Sequence, residues 1–230
     1  MKVSVLGVKI DDVTMEEAVQ TVDRWLSKPG KYYIVTPNPE FLVTAQNDAE
    51  FKKILNNADL AIPDGVGLKL GGVKNTIPGT DLMEKLVKLA SEKSYTVGFL
   101  GGRDRVAEKT AGRLIGRYPG LKISFVQSEP VTATNGCDIL FVAFGHPKQE
   151  YWIAQNLDKI PVKVAMGVGG AFDYISGKVP RAPFWVRNLR MEWLFRLIVQ
   201  PWRIKRQILL LKYIWLLIHS TMLRINTEQS

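Results

Sequence analysis

The chain has 230 residues, of which 46% are hydrophobic and 23% are charged. This length fits one α/β domain, or a core domain with an appendage, and the composition excludes a disordered or fibrous chain. The chain has one cysteine and two histidines that lie far apart. These counts exclude a disulfide framework and argue against a metal centre rich in cysteine or histidine.

The positive charge is concentrated in the last quarter of the chain. The formal net charge is +9, and residues 178–230, with ten Lys or Arg and two Glu, contribute +8 of it. Four of the six tryptophans lie in the same segment. Such a segment is typical of a chain that contacts nucleic acid, an anionic membrane surface or a phosphorylated ligand.

The two apolar segments, at the start of the chain and at 208–218, are not predicted to span a membrane. The first residues carry a short apolar run, but Asp11 and Asp12 follow it, which predicts a first strand and not a secretory signal. The most apolar stretch, 208–218, is interrupted by Lys212 and is about half the roughly 20 residues that a span requires. We therefore expect a cytoplasmic protein that touches a membrane without crossing it.

Helix and strand signals alternate from the start of the chain. Thr14 and Glu17 have the spacing of a capping box, which predicts the start of the first helix. A β-rich segment over 31–36 ends in Pro-Asn-Pro at 37–39, which predicts a strand followed by a helix that begins near Glu40.

The alternation continues through the middle of the chain. Thr80 or Asp81 is predicted to cap a helix that ends near Lys93, and Pro147 to begin a later one. The other predicted elements are a helix over 49–55, strands over 59–62 and 95–100, a helix over 103–118, and strands over 121–126, 137–144 and 162–168. This order predicts a doubly wound, mostly parallel, Rossmann-like α/β sheet, which binds ligands at the carboxyl ends of its strands.

The character of the chain changes after Gly177. Prolines there separate two amphipathic basic helices, predicted over 184–199 and 202–224. We therefore predict an α/β core over 1–177 and a basic, Trp-rich helical appendage over 178–230.

Three polar segments follow predicted strands, at 36–40 (TPNPE), 63–67 (PDGVG) and 145–150 (GHPKQE). Because parallel strands end at one edge of a sheet, we expect these segments to meet there. A carboxylate at that edge, such as Asp64, is suited to act as a general base, and the helix N-termini there can bind phosphate.

Each segment also has a purely structural interpretation. An aspartate before a glycine, as at Asp64, is more often a turn residue. Residues such as Lys148 and Gln149, in the first turn of a helix, are usually solvated. His146 lies in Gly-His-Pro, which is typical of a loop, and the sequence shows no partner for it, so a structural role is expected. The sequence contains no D-x-D, no P-loop, no correctly spaced dinucleotide fingerprint and no nucleophile elbow.

Taken together, the segments resemble a known family. The matching strings are TPNPEF (36–41), ADLAIPDGVGL (58–68), PGTDL (78–82), FGHPKQEYWI (144–153), GVGGAFDYISGKVPRAP (167–183) and EWLFRLIVQPWRIKR (192–206). In this order they resemble the WecG/TagA/CpsF glycosyltransferases, bacterial enzymes of cell-surface polysaccharide and wall teichoic acid synthesis.

The resemblance implies an inverting, metal-independent transfer that uses no cofactor. It implies a UDP-sugar donor, an acceptor sugar carried on undecaprenyl diphosphate, and transfer of N-acetylmannosamine or a related hexosamine. It further implies a peripheral location at the inner face of the bacterial plasma membrane and no nucleic-acid partner, and it leaves a homo-oligomer open.

The resemblance also assigns roles to individual residues. Asp64 matches the general base, Thr36 and Asn38 match pocket residues, and Gln149 matches the glutamine of the PKQE motif. The arginines that close over the site and hold the diphosphate match Arg196, Arg203 and Arg206.

The chain departs from the family at Thr76, where members carry an arginine implicated in phosphate binding. Lys74 lies nearby, but a lysine lacks the planar fork of arginine. The segment around Thr76 and the stretch from Phe125 to Cys137 are also shorter than usual. Two alternatives to the transferase stay open from the sequence: a nicotinamide-dependent oxidoreductase, and a non-enzymatic module that binds membrane or nucleic acid.

Overall fold

The computed structural model describes residues 1–129, 135–183, 185–186, 189, 191–201 and 204–228. In the last two helices, the side chains at 192–193, 196, 205–207 and 223–228 are outside this description.

Most strands of the described chain belong to one parallel sheet. The strands are β1 (Lys2–Val5), β2 (Val8–Asp11), β3 (Tyr32–Val35), β4 (Leu60–Ala61), β5 (Thr96–Gly101), β6 (Lys122–Gln127), β7 (Cys137–Ala143) and β8 (Val162–Gly167). Strands β3 to β8 form a six-stranded sheet in the order β4-β3-β8-β7-β5-β6, and every neighbouring pair is parallel. The predicted doubly wound α/β fold is confirmed.

Helices cover both faces of this sheet. They are α1 (Met15–Leu26), α2 (Pro39–Asn47), α3 (Ala49–Asn57), α4 (Gly79–Lys93), α5 (Val106–Arg117), α6 (Lys148–Asn156), α7 (Ala171–Ile175), α8 (Glu192–Val199) and α9 (Ile204–Glu228), with 3-10 turns at Val66–Gly71 and Leu157–Lys159. Helices α1, α4, α5 and α7 pack on one face, and α2, α3, α6 and α9 pack on the other. Strand β7 contributes to both cores, as its near-continuous apolar run predicts, with Ile139 and Phe141 on one side and Leu140 and Val142 on the other.

The predicted capping box begins α1 as expected. The Glu17 N–H donates to Thr14 Oγ1 at 3.2 Å, and the Thr14 N–H donates to Glu17 Oε2 at 2.8 Å. Two helix N–H groups that have no partner within the helix are thereby bound.

The prediction of a single first strand is wrong, because these residues form an antiparallel hairpin of β1 and β2. Leu6 and Gly7 connect the strands with φ values of +51° and +76°. Two consecutive residues with positive φ form the tight turn whose twist matches a hairpin, and the sequence lacks the Asn-Gly or Asp-Gly pair that would announce it.

Two predicted helix starts also differ from the structure. Helix α4 begins at Gly79 after Pro78, whose carbonyl accepts from the Asp81 N–H, so neither Thr80 nor Asp81 is its cap. Helix α5 begins at Val106 and not at 103, because Asp104 and Arg105 have φ values of +58° and +57°, outside the helical region.

The tail helix α9 is part of the core on the face formed by α2 and the β1–β2 hairpin. Its Tyr213 is fully buried there, and the half-buried apolar side chains of α9 that join the same cluster are Leu209, Leu210, Ile214, Leu216 and Leu217. In the part of the chain that the structure describes, no helix is both long enough and apolar enough to cross a membrane.

Tyr213 provides a test of this packing. Its buried hydroxyl has no hydrogen-bond partner among the described residues, and burial raises the pKa of Tyr213 to about 12. We expect Tyr213→Phe to leave the free energy of unfolding unchanged or to raise it by about 1 kcal/mol, because an unsatisfied polar group is removed. Tyr213→Ala should lower it by about 3–5 kcal/mol, as for other large core truncations. Urea denaturation of both variants measures the difference, and equal effects would contradict the packing described for α9.

Candidate functional site

The chain connections diverge at the carboxyl edge of the sheet, and we call the region at the end of β8, where they separate, the crevice. Strands β3 and β7 lead to α2 and α6 on one face, whereas β8, which lies between them, leads to α7 on the opposite face. The helices therefore separate at the end of β8, and such a switch point is where doubly wound sheets bind ligands. The three polar segments follow β3, β4 and β7, which end at the same edge of the parallel sheet, so the expectation that they share one edge is confirmed.

Backbone hydrogen bonds hold Asp64 beside the loop that follows β3. The Ile62 N–H donates to the Val35 carbonyl at 2.8 Å, and the Asp64 N–H donates to the Pro37 carbonyl at 2.9 Å. These bonds continue the pairing of β3 and β4 beyond the strands, and Asp64 is half-buried at their end. A structural position between a proline and a glycine, as expected for Asp64, is thus compatible with a location at the carboxyl edge of the sheet.

Thr36 lies in the same loop and is 7% exposed. A Cβ atom at Gly79 would be 3.3 Å from Thr36 Cγ2, so the N-terminus of α4 packs directly against Thr36. The Ile77 N–H donates to the Pro63 carbonyl at 2.8 Å, which brings the half-buried Thr76 to the same region as Asp64.

Asn38, which the sequence predicts to be a residue of the site, is the N-cap of α2. Its Oδ1 accepts from the Phe41 N–H at 3.2 Å, and Pro39 occupies the first turn, where its missing N–H costs nothing. Since the carbonyl end of the side chain caps the helix, the Nδ2 amide is the group that remains to donate to a ligand.

Gln149 is 2% exposed, so its expected solvation is wrong, whereas Lys148 is exposed as expected. The Gly169 N–H donates to Gln149 Oε1 at 2.9 Å, and Gln149 Nε2 donates to Glu150 Oε1 at 2.7 Å. Gln149 therefore supports the loop after β8 from within the protein, and both ends of its carboxamide have protein partners.

His146 has partners that the sequence did not reveal. Its Nε2 lies 3.0 Å from Thr44 Oγ1, its Nδ1 lies 3.8 Å from Glu150 Oε2, and its ring stacks on Phe41 at a centroid distance of 4.1 Å. Glu150 is fully buried, and this burial raises the pKa of its carboxyl group. Sequence reasoning missed Glu150 because a carboxylate in the first turn of a helix is usually solvated.

The tail reaches the loop that follows Asp64. A Cβ atom at Gly67 would lie 2.7 Å from Pro39 Cγ and 3.4 Å from Leu210 Cδ1, so α9 packs against this loop. Arg206 precedes Leu210 by about one helical turn, but its side chain and that of Arg196 on α8 are outside the described part of the structure, and Arg203 lies outside the described residues altogether. The roles of these three arginines stay predictions.

Two other hollows lie outside the crevice. One, of about 220 Å³, is lined by Thr80, Glu84, Arg113, Arg117, Tyr174, Ile175 and Arg181. Its arginines have protein partners: Arg117 binds Glu84 at 2.8 Å, Arg181 binds Asp81, and Arg113 Nη1 donates to the Ile175 carbonyl. The other, a groove of about 190 Å³ beside α8, is lined by apolar side chains: Pro183, Trp185, Val186, Met191, Leu194, Phe195 and Ile198.

Comparison with known proteins identifies related enzymes. The family described as "Glycosyl transferase WecG/TagA/CpsF family" matches residues 3–227. The N-acetylglucosaminyldiphosphoundecaprenol N-acetyl-beta-D-mannosaminyltransferase of Bacillus subtilis strain 168 is 32% identical, over 78% of this chain and 76% of that enzyme. Enzymes of the same name are 34% identical in Bacillus spizizenii W23, over 79% of this chain and 77% of that enzyme, and 31% identical in Staphylococcus aureus MRSA252, over 89% and 87%.

Two substitutions of Asn38 distinguish its role as the helix cap from its predicted role in ligand binding. We expect Asn38→Ala to lower the free energy of unfolding by about 1 kcal/mol, because the first turn of α2 loses its side-chain acceptor. Asn38→Asp keeps the acceptor and should change stability by less than about 0.5 kcal/mol, while it replaces the Nδ2 donor with a carboxylate. Urea denaturation measures both values, and equal stability of the two variants would show that the cap contributes nothing.

Proposed function

Because the chain belongs to the WecG/TagA/CpsF family of glycosyltransferases, we propose that it transfers N-acetylmannosamine, or a closely related hexosamine, from a UDP-sugar to N-acetylglucosamine on undecaprenyl diphosphate. The name of the bacterial relatives supports this acceptor. Family membership makes the chain an enzyme and removes the basis for the oxidoreductase and for the non-enzymatic module. In this proposal the product enters cell-surface polysaccharide or wall teichoic acid.

The observation that carries the proposal is the position of Asp64 at the carboxyl edge of the sheet, where its N–H donates to the Pro37 carbonyl between Thr36 and Asn38. An inverting transfer needs one carboxylate to take the proton of the acceptor hydroxyl while the anomeric bond to UDP breaks and the new glycosidic bond forms. The electron pair of the broken bond leaves with the β-phosphate of UDP. A general base in this position contributes about 10²–10⁴-fold to the rate.

The charge that develops on the leaving UDP needs fixed positive groups. The sequence lacks the D-x-D motif that commonly holds a metal-bound sugar nucleotide, so we assign this role to the tail arginines Arg196, Arg203 and Arg206 together with helix N-termini. The contact of Leu210 with the loop at Gly67 supports this assignment, since it holds the helix that carries Arg206 beside the site.

The appendage over 178–230 also supports docking on a membrane. Six apolar residues of α9 recur at intervals of four and three, and each is more than half exposed: Ile204, Ile208, Leu211, Trp215, Ile218 and Met222. We call these residues the outer stripe. Amphipathic helices with such a stripe bury it at the lipid interface, and the charge of +8 in this segment favours anionic lipids.

In this proposal the enzyme is peripheral at the inner face of the plasma membrane, where its acceptor lipid resides. A second copy of the chain is the competing occupant of the outer stripe. Size-exclusion chromatography with and without lipid vesicles distinguishes a homo-oligomer from a lipid-bound form.

The transferase proposal is tested by transfer from UDP-N-acetylmannosamine to a synthetic lipid-diphosphate N-acetylglucosamine. We expect Asp64→Asn to reduce turnover by about 10²–10⁴-fold, because the amide cannot accept the proton, while affinity for UDP stays near that of the unchanged protein. Asp158→Asn, at an exposed carboxylate after α6, is the matched control and should stay active. Turnover should persist in EDTA.

Two results would count against these assignments. Near-normal turnover of Asp64→Asn would remove Asp64 as the base. Absence of transfer from every UDP-hexosamine by folded protein would remove the proposed reaction.

Membrane docking is tested by flotation with vesicles that contain phosphatidylglycerol. The double variant Ile208→Glu, Leu211→Glu should float at least about tenfold less than the unchanged protein, because two apolar side chains of the outer stripe are replaced by anions. Ile115→Glu, at an exposed apolar residue of α5, is the matched control and should float normally. Equal flotation of the double variant and the unchanged protein would exclude the outer stripe as the docking face.

A further inference from the structure

A buried polar chain joins α2, α6 and the loop after β8. It runs from Thr44 Oγ1 to His146 Nε2 at 3.0 Å, and from His146 Nδ1 to Glu150 Oε2 at 3.8 Å. It continues from Glu150 Oε1 to Gln149 Nε2 at 2.7 Å, and from Gln149 Oε1 to the Gly169 N–H at 2.9 Å. The transfer proposed above assigns no role to His146 or Glu150.

The directions of these hydrogen bonds fix the state of the His146 ring. The Thr44 hydroxyl donates to the Glu40 carbonyl at 3.1 Å, so its oxygen is left to accept from the ring, and Nε2 carries a hydrogen. Nδ1 is then the nitrogen that faces Glu150. Within the described residues, neither His146 Nδ1 nor Glu150 Oε2 has a hydrogen-bond partner, and both atoms are buried.

The Glu150 carboxyl group is fully buried between the His146 ring and the Gln149 carboxamide. Burial raises the pKa of this carboxyl group, and the adjacent His146 and Gln149 oppose that shift. Loss of a partner from such a buried polar group is strongly unfavourable, so the three side chains hold one another in place.

We propose that His146 and Glu150 are a positioning pair that, through Gln149, fixes the backbone of Gly169 at the crevice. The pair acts through Gln149 and does not itself touch substrate. The inference rests on the proposed function only in that the loop after β8 borders the donor site.

Contacts around the carboxamide support this role. A Cβ atom at Gly167 would lie 2.8 Å from Gln149 Nε2 and 3.0 Å from Glu150 Oε1, so the polar chain packs directly on the backbone of β8. A larger residue at this position would force the ends of these two side chains to shift. The geometry of the loop after β8 therefore depends on the state of groups that α6 and α2 supply.

Other titratable groups on the surrounding helices are engaged elsewhere or exposed. Asp48 of α3 accepts from the Tyr151 hydroxyl of α6 at 2.7 and 2.8 Å, which joins those two groups to each other. Lys148 of α6 is exposed, and Glu40 of α2 contributes its backbone carbonyl to Thr44. Among the described residues, the titratable group that lies beside Glu150 Oε2 is His146, at 3.8 Å.

Imidazole NMR tests the state of the His146 ring directly. The chain has two histidines, and His219 is exposed, so the two rings can be told apart. We expect the ring ¹⁵N resonances of His146 to show a hydrogen on Nε2, the nitrogen that faces Thr44. A His146 ring without a hydrogen on Nε2 would overturn the proposal.

The link to Gly169 is tested with two substitutions of Glu150 and amide hydrogen exchange. Glu150→Ala leaves Gln149 Nε2 without its acceptor and removes the carboxyl group beside His146 Nδ1, so exchange of the Gly169 amide should accelerate at least about tenfold. Glu150→Gln can accept from Gln149 and donate to His146 Nδ1, so it should restore slow exchange. The amides of Val164 and Ala165 in β8 report whether the sheet remains folded.

Kinetics distinguish positioning from a general loss of structure. Because a displacement of about 1 Å can cost about 10²-fold, Glu150→Ala should lower kcat/KM by about 10–100-fold, mainly through the KM of the sugar nucleotide, and Glu150→Gln should recover it. Unchanged Gly169 exchange in a folded Glu150→Ala variant would overturn the proposal. If that variant does not fold, the histidine spectra of the unchanged protein still decide the point. The NMR and exchange measurements need no turnover, so they are independent of whether the proposed transfer is correct.

Discussion

The pairing of β3 with parallel strands on both sides is the constraint on which the site depends. Ile34 of β3 is in register with Leu60 of β4 and with Met166 of β8. The three strands consequently end at the same edge of the sheet. Backbone hydrogen bonds donated by Ile62 and Asp64 extend the pairing of β3 and β4 as far as Asp64. The position of Asp64 is thus set by main-chain hydrogen bonds, which depend little on the identity of the neighbouring side chains.

Features that depend on a few consecutive residues could be predicted from the sequence. The capping box of Thr14 and Glu17 involves partners three residues apart, and so does the cap that Asn38 forms on Phe41. The convergence of the polar segments also followed from the sequence, because alternating strands and helices favour a parallel sheet whose strands end together. What this reasoning did not supply was the strand order, and therefore the position of the crevice at β8.

Features that depend on distant partners could not be predicted. Glu150 looks like a solvated residue of a first helical turn, and it is buried only because the loop after β7 places His146 next to Thr44, 102 residues earlier. The start of α5 was missed for a related reason, since nothing in the sequence of Asp104 and Arg105 announces two left-handed residues. The sequence shows which chemical groups the side chains carry, but tertiary packing decides whether water reaches them.

The tail helix α9 shows why the number of apolar residues at 208–218 did not by itself predict what that segment contacts. The run at 208–218 divides into two faces of one helix: Tyr213 and Leu210 face the core and the loop at Gly67, whereas Ile208 and Leu211 belong to the outer stripe. A helix with side chains is about 10 Å across, so a surface that covers the outer stripe would lie about that far from the loop that follows Asp64. If that surface is the bilayer, as proposed above, the diphosphate of a membrane-anchored acceptor lies within reach of the crevice. The acceptor would then not have to leave the lipid, and the same helix that docks the enzyme would orient its site toward the substrate.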